Sequence, residues 1–123
     1  MVEIDAYRYC HRSDGSVVKN LGKIDIPDAC KKRFDEISQK FAAIITCELL
    51  RTGEIVWYIE HEPSQYTLAT VITENKPDAK KYHLEMMQKL FDRLPNDKEI
   101  KKQLKKEAKW QSKISRIKTP SNS

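Results

Sequence analysis

The chain has 123 residues, 39% of them apolar and 33% charged, with a formal net charge of +5. That length fits one domain with one core, and the apolar content excludes a disordered chain. The longest apolar runs, 41–45 and 55–59, are far below the ~20 residues that span a bilayer, and residues 1–5 lack the positive flank and apolar stretch of a secretory signal.

A small soluble cytoplasmic domain is therefore expected. Cys10, Cys30 and Cys47 are odd in number and have no Cys-x-x-Cys spacing, so free thiols are expected rather than a disulfide framework or zinc finger. The charge is unevenly distributed. Residues 1–75 hold nine Lys/Arg against twelve Asp/Glu, a balance of −3, whereas residues 76–118 hold fourteen against six, a balance of +8. One end of the molecule thus attracts polyanions or acidic proteins and the other does not.

Val2, Ile4 and Ala6 alternate with Glu3, Asp5 and Tyr7, which predicts a half-buried strand over about 2–10. Ser13-Asp14-Gly15 supplies a turn, and Ser16 to Lys19 return as the second arm of a hairpin. Asp25 is placed to cap a helix with Pro27 and Asp28 in its first turn, and Ile26, Cys30, Phe34, Ile37 and Phe41 recur at helical spacing.

Three strands follow at about 43–50, 54–61 and 66–73, separated by Arg51-Thr52-Gly53 and Glu62-Pro63-Ser64. The middle one is bulky throughout, Ile55 to Ile59, which predicts a central strand covered on both faces. Asn75 to Pro77 open a second helix with Leu84, Met87, Leu90, Phe91 and Leu94 on one side; Asn96 and Glu99 form a capping box for a third, running to about Ile117.

The reading is an α+β domain of order ββαβββαα, with about five mostly antiparallel strands. One helix lies on one face and the two C-terminal helices on the other face or an edge. Residues 1–95 form the body, 96–118 a basic amphipathic helix packed on it, and 119–123 a disordered tail. The order also occurs in longin-like and profilin-like domains, a likeness of element sequence alone that implies no function.

The third helix separates Ile100, Leu104, Trp110, Ile114 and Ile117 from Lys101, Lys102, Lys105, Lys106, Lys109, Lys113 and Arg116. The seven cations share about 140° of arc. Like charges at these spacings repel, so local helix stability does not explain them. They are the candidate partner-binding residues, and an acidic protein surface is the favoured partner. Lysine rather than arginine suits diffuse attraction better than bidentate base readout, which leaves sequence-tolerant RNA or single-stranded DNA binding as the alternative. Tyr7 and Tyr9 share a strand face and are candidates for base stacking, although the bulky middle strand argues for a C-terminal helix lying over them.

A third alternative is a small hydrolase using Cys10 or a histidine, but Cys10 and His11 are strand neighbours and point to opposite faces. Cys30 and Cys47 sit in apolar patterns. His61 points away from Glu60 and Glu62, which makes a poor metal site, and His83 reads as a hydrogen-bonded boundary residue. Trp110 reads as a residue packed on the body. No motif calls for a cofactor.

Overall fold

The computed structural model describes the backbone of residues 1–73 and 79–118 and the side chains of residues 1–73 and 82–109. Strands β1 (Val2–His11) and β2 (Val17–Ile26) form an antiparallel hairpin, followed by helix α1 (Asp28–Phe41). A meander of β3 (Ala43–Leu49), β4 (Ile55–His61) and β5 (Tyr66–Thr73) comes next, then helices α2 (Ala79–Asp92) and α3 (Asp97–Lys118). The class is α+β and the element order is ββαβββαα. The expected opening of α2 at Asn75–Pro77 and the expected tail at 119–123 lie outside the described residues.

The strands form one sheet in the order β2-β1-β3-β4-β5, with β1 and β3 as its parallel pair. The first hairpin closes on Gly15, whose φ of 87° suits glycine, and on Asp14, whose carboxylate accepts from the Ser16 backbone N–H at 2.9 Å. The return arm pairs without a break from Val17 opposite His11 to Ile26 opposite Val2, well beyond Lys19. Its residues 19–23, with Lys19, Asn20 and Lys23 among them and Leu21 exposed, lie on an edge strand, where only one side needs a ladder partner, so the apolar alternation fades although pairing continues.

The long return arm changes the helix start. Asp25 is a ladder residue opposite Glu3 and does not cap α1; Pro27 stands at the N-cap without a side-chain cap, and Asp28 lies in the first turn. At the other end Ala42 takes the left-handed conformation and returns its N–H to the Ile37 carbonyl, turning the chain directly into β3.

The core cluster lies on one face of the sheet, which corrects the expected placement of α2 on the face opposite α1. Cys30, Ile37 and Phe41 of α1, Met87, Leu90 and Phe91 of α2, and Ile100 of α3 join one buried cluster with Ile4, Ala6, Ile45, Trp57, Ile59 and Val71 of the sheet. Phe34 and Phe91 meet edge to face at 6.5 Å, and the Cys30 thiol reaches Gln88 Oε1 at 3.5 Å. The two helices therefore lie side by side on the same face of the sheet.

Two further contacts pin α2 to that face. The His83 ring packs on Trp57 at 5.3 Å, and its Nε2–H donates to the Asp25 carbonyl at 2.7 Å. Helix α3 is tied to α1 at its first turn, where Asp97 accepts from Arg33 at 2.5 Å and from Lys40 at 2.9 Å. Arg33 also donates to the Pro95 carbonyl at 3.0 Å. Asn96 Oδ1 accepts the Glu99 backbone N–H at 2.9 Å, the N-cap half of the expected capping box.

The bulky strand β4 is interior, but β3 holds the middle position of the sheet. Its second face is buried without helical cover among the described residues: Val56 and Glu60 are buried there, yet neither belongs to the core cluster. Tyr9 of β1 reaches across β3 to Glu60 there.

Candidate functional site

Helix α3 presents two different sides. Ile100 is fully buried and Leu104 packs partly against the core, whereas Lys101, Lys102, Lys105, Lys106 and Lys109 are exposed. Among the described residues none of these five lysines forms an ion pair; the cations that do pair with carboxylates are Lys23, Lys31, Arg33 and Lys40, together with the N-terminus. The Lys113, Arg116 and Trp110 side chains lie outside the described residues.

Alternation and register place Tyr7, Tyr9 and His11 of β1 on the face opposite the helices. They share it with Lys19 and Leu21 of β2, Thr46 and Glu48 of β3, and Val56, Tyr58 and Glu60 of β4. No described helical residue of the core lies over Tyr7 and Tyr9, contrary to expectation. The reason is that α2 found its apolar partner in α1 and the first face of the sheet, where Met87, Leu90 and Phe91 are buried.

This open face carries a connected polar network. Tyr9 donates to Glu60 at 3.2 Å, Tyr58 to Glu48 at 3.1 Å and Tyr7 to Glu62 at 3.4 Å. His11 Nε2 lies 2.5 Å from the second Glu48 oxygen. Lys19 extends its ammonium over both tyrosine rings, 4.6 Å from the Tyr7 centroid and 5.5 Å from that of Tyr9, a cation–π arrangement. The Thr46 hydroxyl, in the row between Tyr7 and Tyr58, is buried and has no partner.

Burial sets the protonation behaviour of this network. Glu60 is only 3% exposed, and desolvation raises its pKa, opposed by the Lys19 charge and the Tyr9 hydrogen bond. Tyr9 is pushed up to about 12, first by desolvation and then by the Glu60 charge. Because the folded-state pKa of Glu60 lies above its unfolded value, its burial costs nothing at pH below the unfolded carboxylate range. It becomes destabilising as pH rises through the folded pKa. Replacing Glu60 with Gln should therefore raise the melting temperature by a few degrees at pH 7, with the gain shrinking towards pH 4. Thermal unfolding across that range checks it; a variant less stable than wild type at pH 7 would show that the Lys19 and Tyr9 contacts outweigh desolvation.

The face is chemically mixed. Its tyrosine rings are occupied by Lys19 and their hydroxyls by carboxylates, so Tyr7 and Tyr9 are not a bare stacking platform. Glu48, Glu60 and Glu62 repel a phosphate backbone. The tyrosines and the lysines of α3 also belong to opposite sides of the sheet, so the structure does not bring together the two groups that the nucleic-acid reading joins.

The remaining candidates are dispersed. Cys10 is half-buried, accepts from Asn20 at 3.3 Å and lies on the face away from His11. Burial raises the pKa of Cys30 and of Cys47, the opposite of what a thiolate nucleophile needs. His61 contacts Ser64 Oγ at 2.7 Å, away from the Glu60 face. Below the Ala6–Ile45 pair, β1 and β3 part around a cavity of about 350 Å³ bordered by Glu3, Lys23, Lys31 and Phe34. Lys23 is already bonded to Asp5.

Sequence reasoning missed Lys19, Glu48 and Tyr58 as members of a site. Their strand parity was readable, but the adjacency of β1 and β3 that assembles them was not. No known protein family, curated protein or solved structure matches the chain. Among the described residues no helix is long and apolar enough to cross a membrane.

Proposed function

We propose that this protein is a non-enzymatic interaction module that docks on an acidic protein surface through the lysine side of α3. The observation that carries the reading is that five described lysines are exposed and unpaired on a helix whose first turn is fixed by Asp97 and Ile100. A helix anchored in this way offers its cations in a set geometry, so less side-chain and backbone order is lost on binding. An acidic protein is favoured over nucleic acid because lysine predominates over arginine and because the face that bears Tyr7 and Tyr9 also carries carboxylates.

The test replaces Lys102, Lys105 and Lys109 together with Glu. The variant should keep the wild-type circular dichroism and lose the specific interactors that immobilised wild type captures. With labelled oligouridine, wild type should show no log–log salt slope equivalent to several phosphates, at about −0.7 per phosphate on a single strand. Such a slope, abolished in the variant, would replace the acidic protein with nucleic acid as partner. Unchanged capture by the variant would remove the lysines from the interface.

A further inference from the structure

We infer that the acidic surface which α3 recognises is the open sheet face of a second copy of this chain. The inference rests on the docking reading above and supplies its partner. The open face bears Glu3, Asp5, Asp25, Glu48, Glu60 and Glu62, with Lys19 and Lys23 as its lysines, and Lys23 is bonded to Asp5. The exposed side of α3 bears lysines. The molecule thus carries two surfaces of opposite sign.

Those surfaces cannot meet within one chain. Ile100 and Leu104 hold α3 against the core on the other side of the sheet, and among the described residues none of its lysines is paired with a carboxylate of the open face. Only another molecule can bring them together.

The open face also shows how it receives an ammonium group. Lys19 lies over Tyr7 and Tyr9 near Glu60, whose acidity it increases: aromatic faces below a cation with carboxylates beside it. Leu21 and Val17 on one edge strand and Ile72 on the other are exposed by 62%, 53% and 57%. They give the face apolar margins that the aliphatic stems of lysines can cover while their heads reach carboxylates. Successive lysines one helical turn apart are spaced by about 5–6 Å, close to the ~4.8 Å between strands. A helix laid across the strands therefore meets the face in step. Reciprocal docking of two chains closes a two-fold dimer, whereas one-way docking would build open chains.

A charge-swap experiment on the full chain decides the matter. One variant carries K102E, K105E and K109E; the other carries E3K and E62K, both at exposed positions. Sedimentation velocity of wild type should show concentration-dependent association that weakens at high salt. Each variant alone repels itself and should associate at least about tenfold more weakly. An equimolar mixture pairs acidic α3 with basic face and basic α3 with acidic face, and should recover association. Wild type that stays monomeric at low salt overturns the inference, as does a mixture that fails to recover. If wild type is monomeric but captures another acidic protein through the three lysines, the docking reading survives and the second copy does not. If the lysine variant associates like wild type, the second copy is not held by α3 and the inference falls; if its capture of other proteins is also unchanged, the docking reading falls with it.

Discussion

Replacing Ile59 with Ala should destabilise the protein by about 2–5 kcal/mol, whereas replacing Ile72 with Ala should change stability by less than about 0.5 kcal/mol. Both residues are in interior or edge strands of the same sheet and both are large and apolar. Ile59 is fully buried in the shared cluster beneath the helices, and Ile72 is 57% exposed on the open face. Truncating Ile59 removes buried methyl groups and leaves a cavity that the interior β4 cannot easily close, because it is paired with β3 on one side and β5 on the other. Urea unfolding followed by tryptophan fluorescence reads both variants. Equal losses at the two positions would mean that the sheet is covered on both faces, and the one-sided architecture would be wrong.

The elements were legible because their signals are local. Alternation at 2–7, the stripe Cys30–Ile37–Phe41 and the turn residues around Gly15 and Gly53 each report on a few neighbouring positions, and they recur in the structure within a residue or two at most ends. Sequence pattern cuts the edge strand β2 short because its middle, residues 19–23, gives no buried alternation while its backbone remains paired. The side on which α2 packs was not legible. Its apolar residues match α1 and the sheet equally well in sequence, and only the three-dimensional fit of Phe91 to Phe34 and of His83 to Trp57 chooses the side.

The candidate surfaces divide in the same way. The lysine side of α3 follows from helical periodicity alone, so it could be read. The Tyr9–Glu60 and His11–Glu48 contacts join residues 51 and 37 positions apart. They depend on β1 lying beside β3, a pairing made by a crossover that has no mark in either strand's own residues. His61, weighed as a ligand with Glu60, is separated from it by the alternation that sends Glu60 into the network.

Replacing Ile100 with Asp should detach α3 from the body while leaving the sheet and the first two helices folded. Ile100 is fully buried, so its burial contributes roughly 1.5–3 kcal/mol. Leu104 adds a smaller share because it is only partly buried, and the exposed ion pairs of Asp97 add little. A carboxylate forced into that site would have no partner and would cost more than the helix gains by docking, so the lowest-cost response is for the terminal helix to leave. The expected loss of stability therefore stops near the docking free energy of α3, about 3 kcal/mol, rather than growing with the penalty of a buried charge. Hydrogen exchange should show lost protection in α3 with protection retained in β3 and β4, and trypsin should cut first among Lys101, Lys102, Lys105 and Lys106. Detachment also removes the fixed geometry of the lysines, so this variant should bind its partner more weakly even though every lysine remains. Loss of protection throughout the sheet would instead make α3 an inseparable part of the core, and unchanged protection in α3 would show that Ile100 does not hold it.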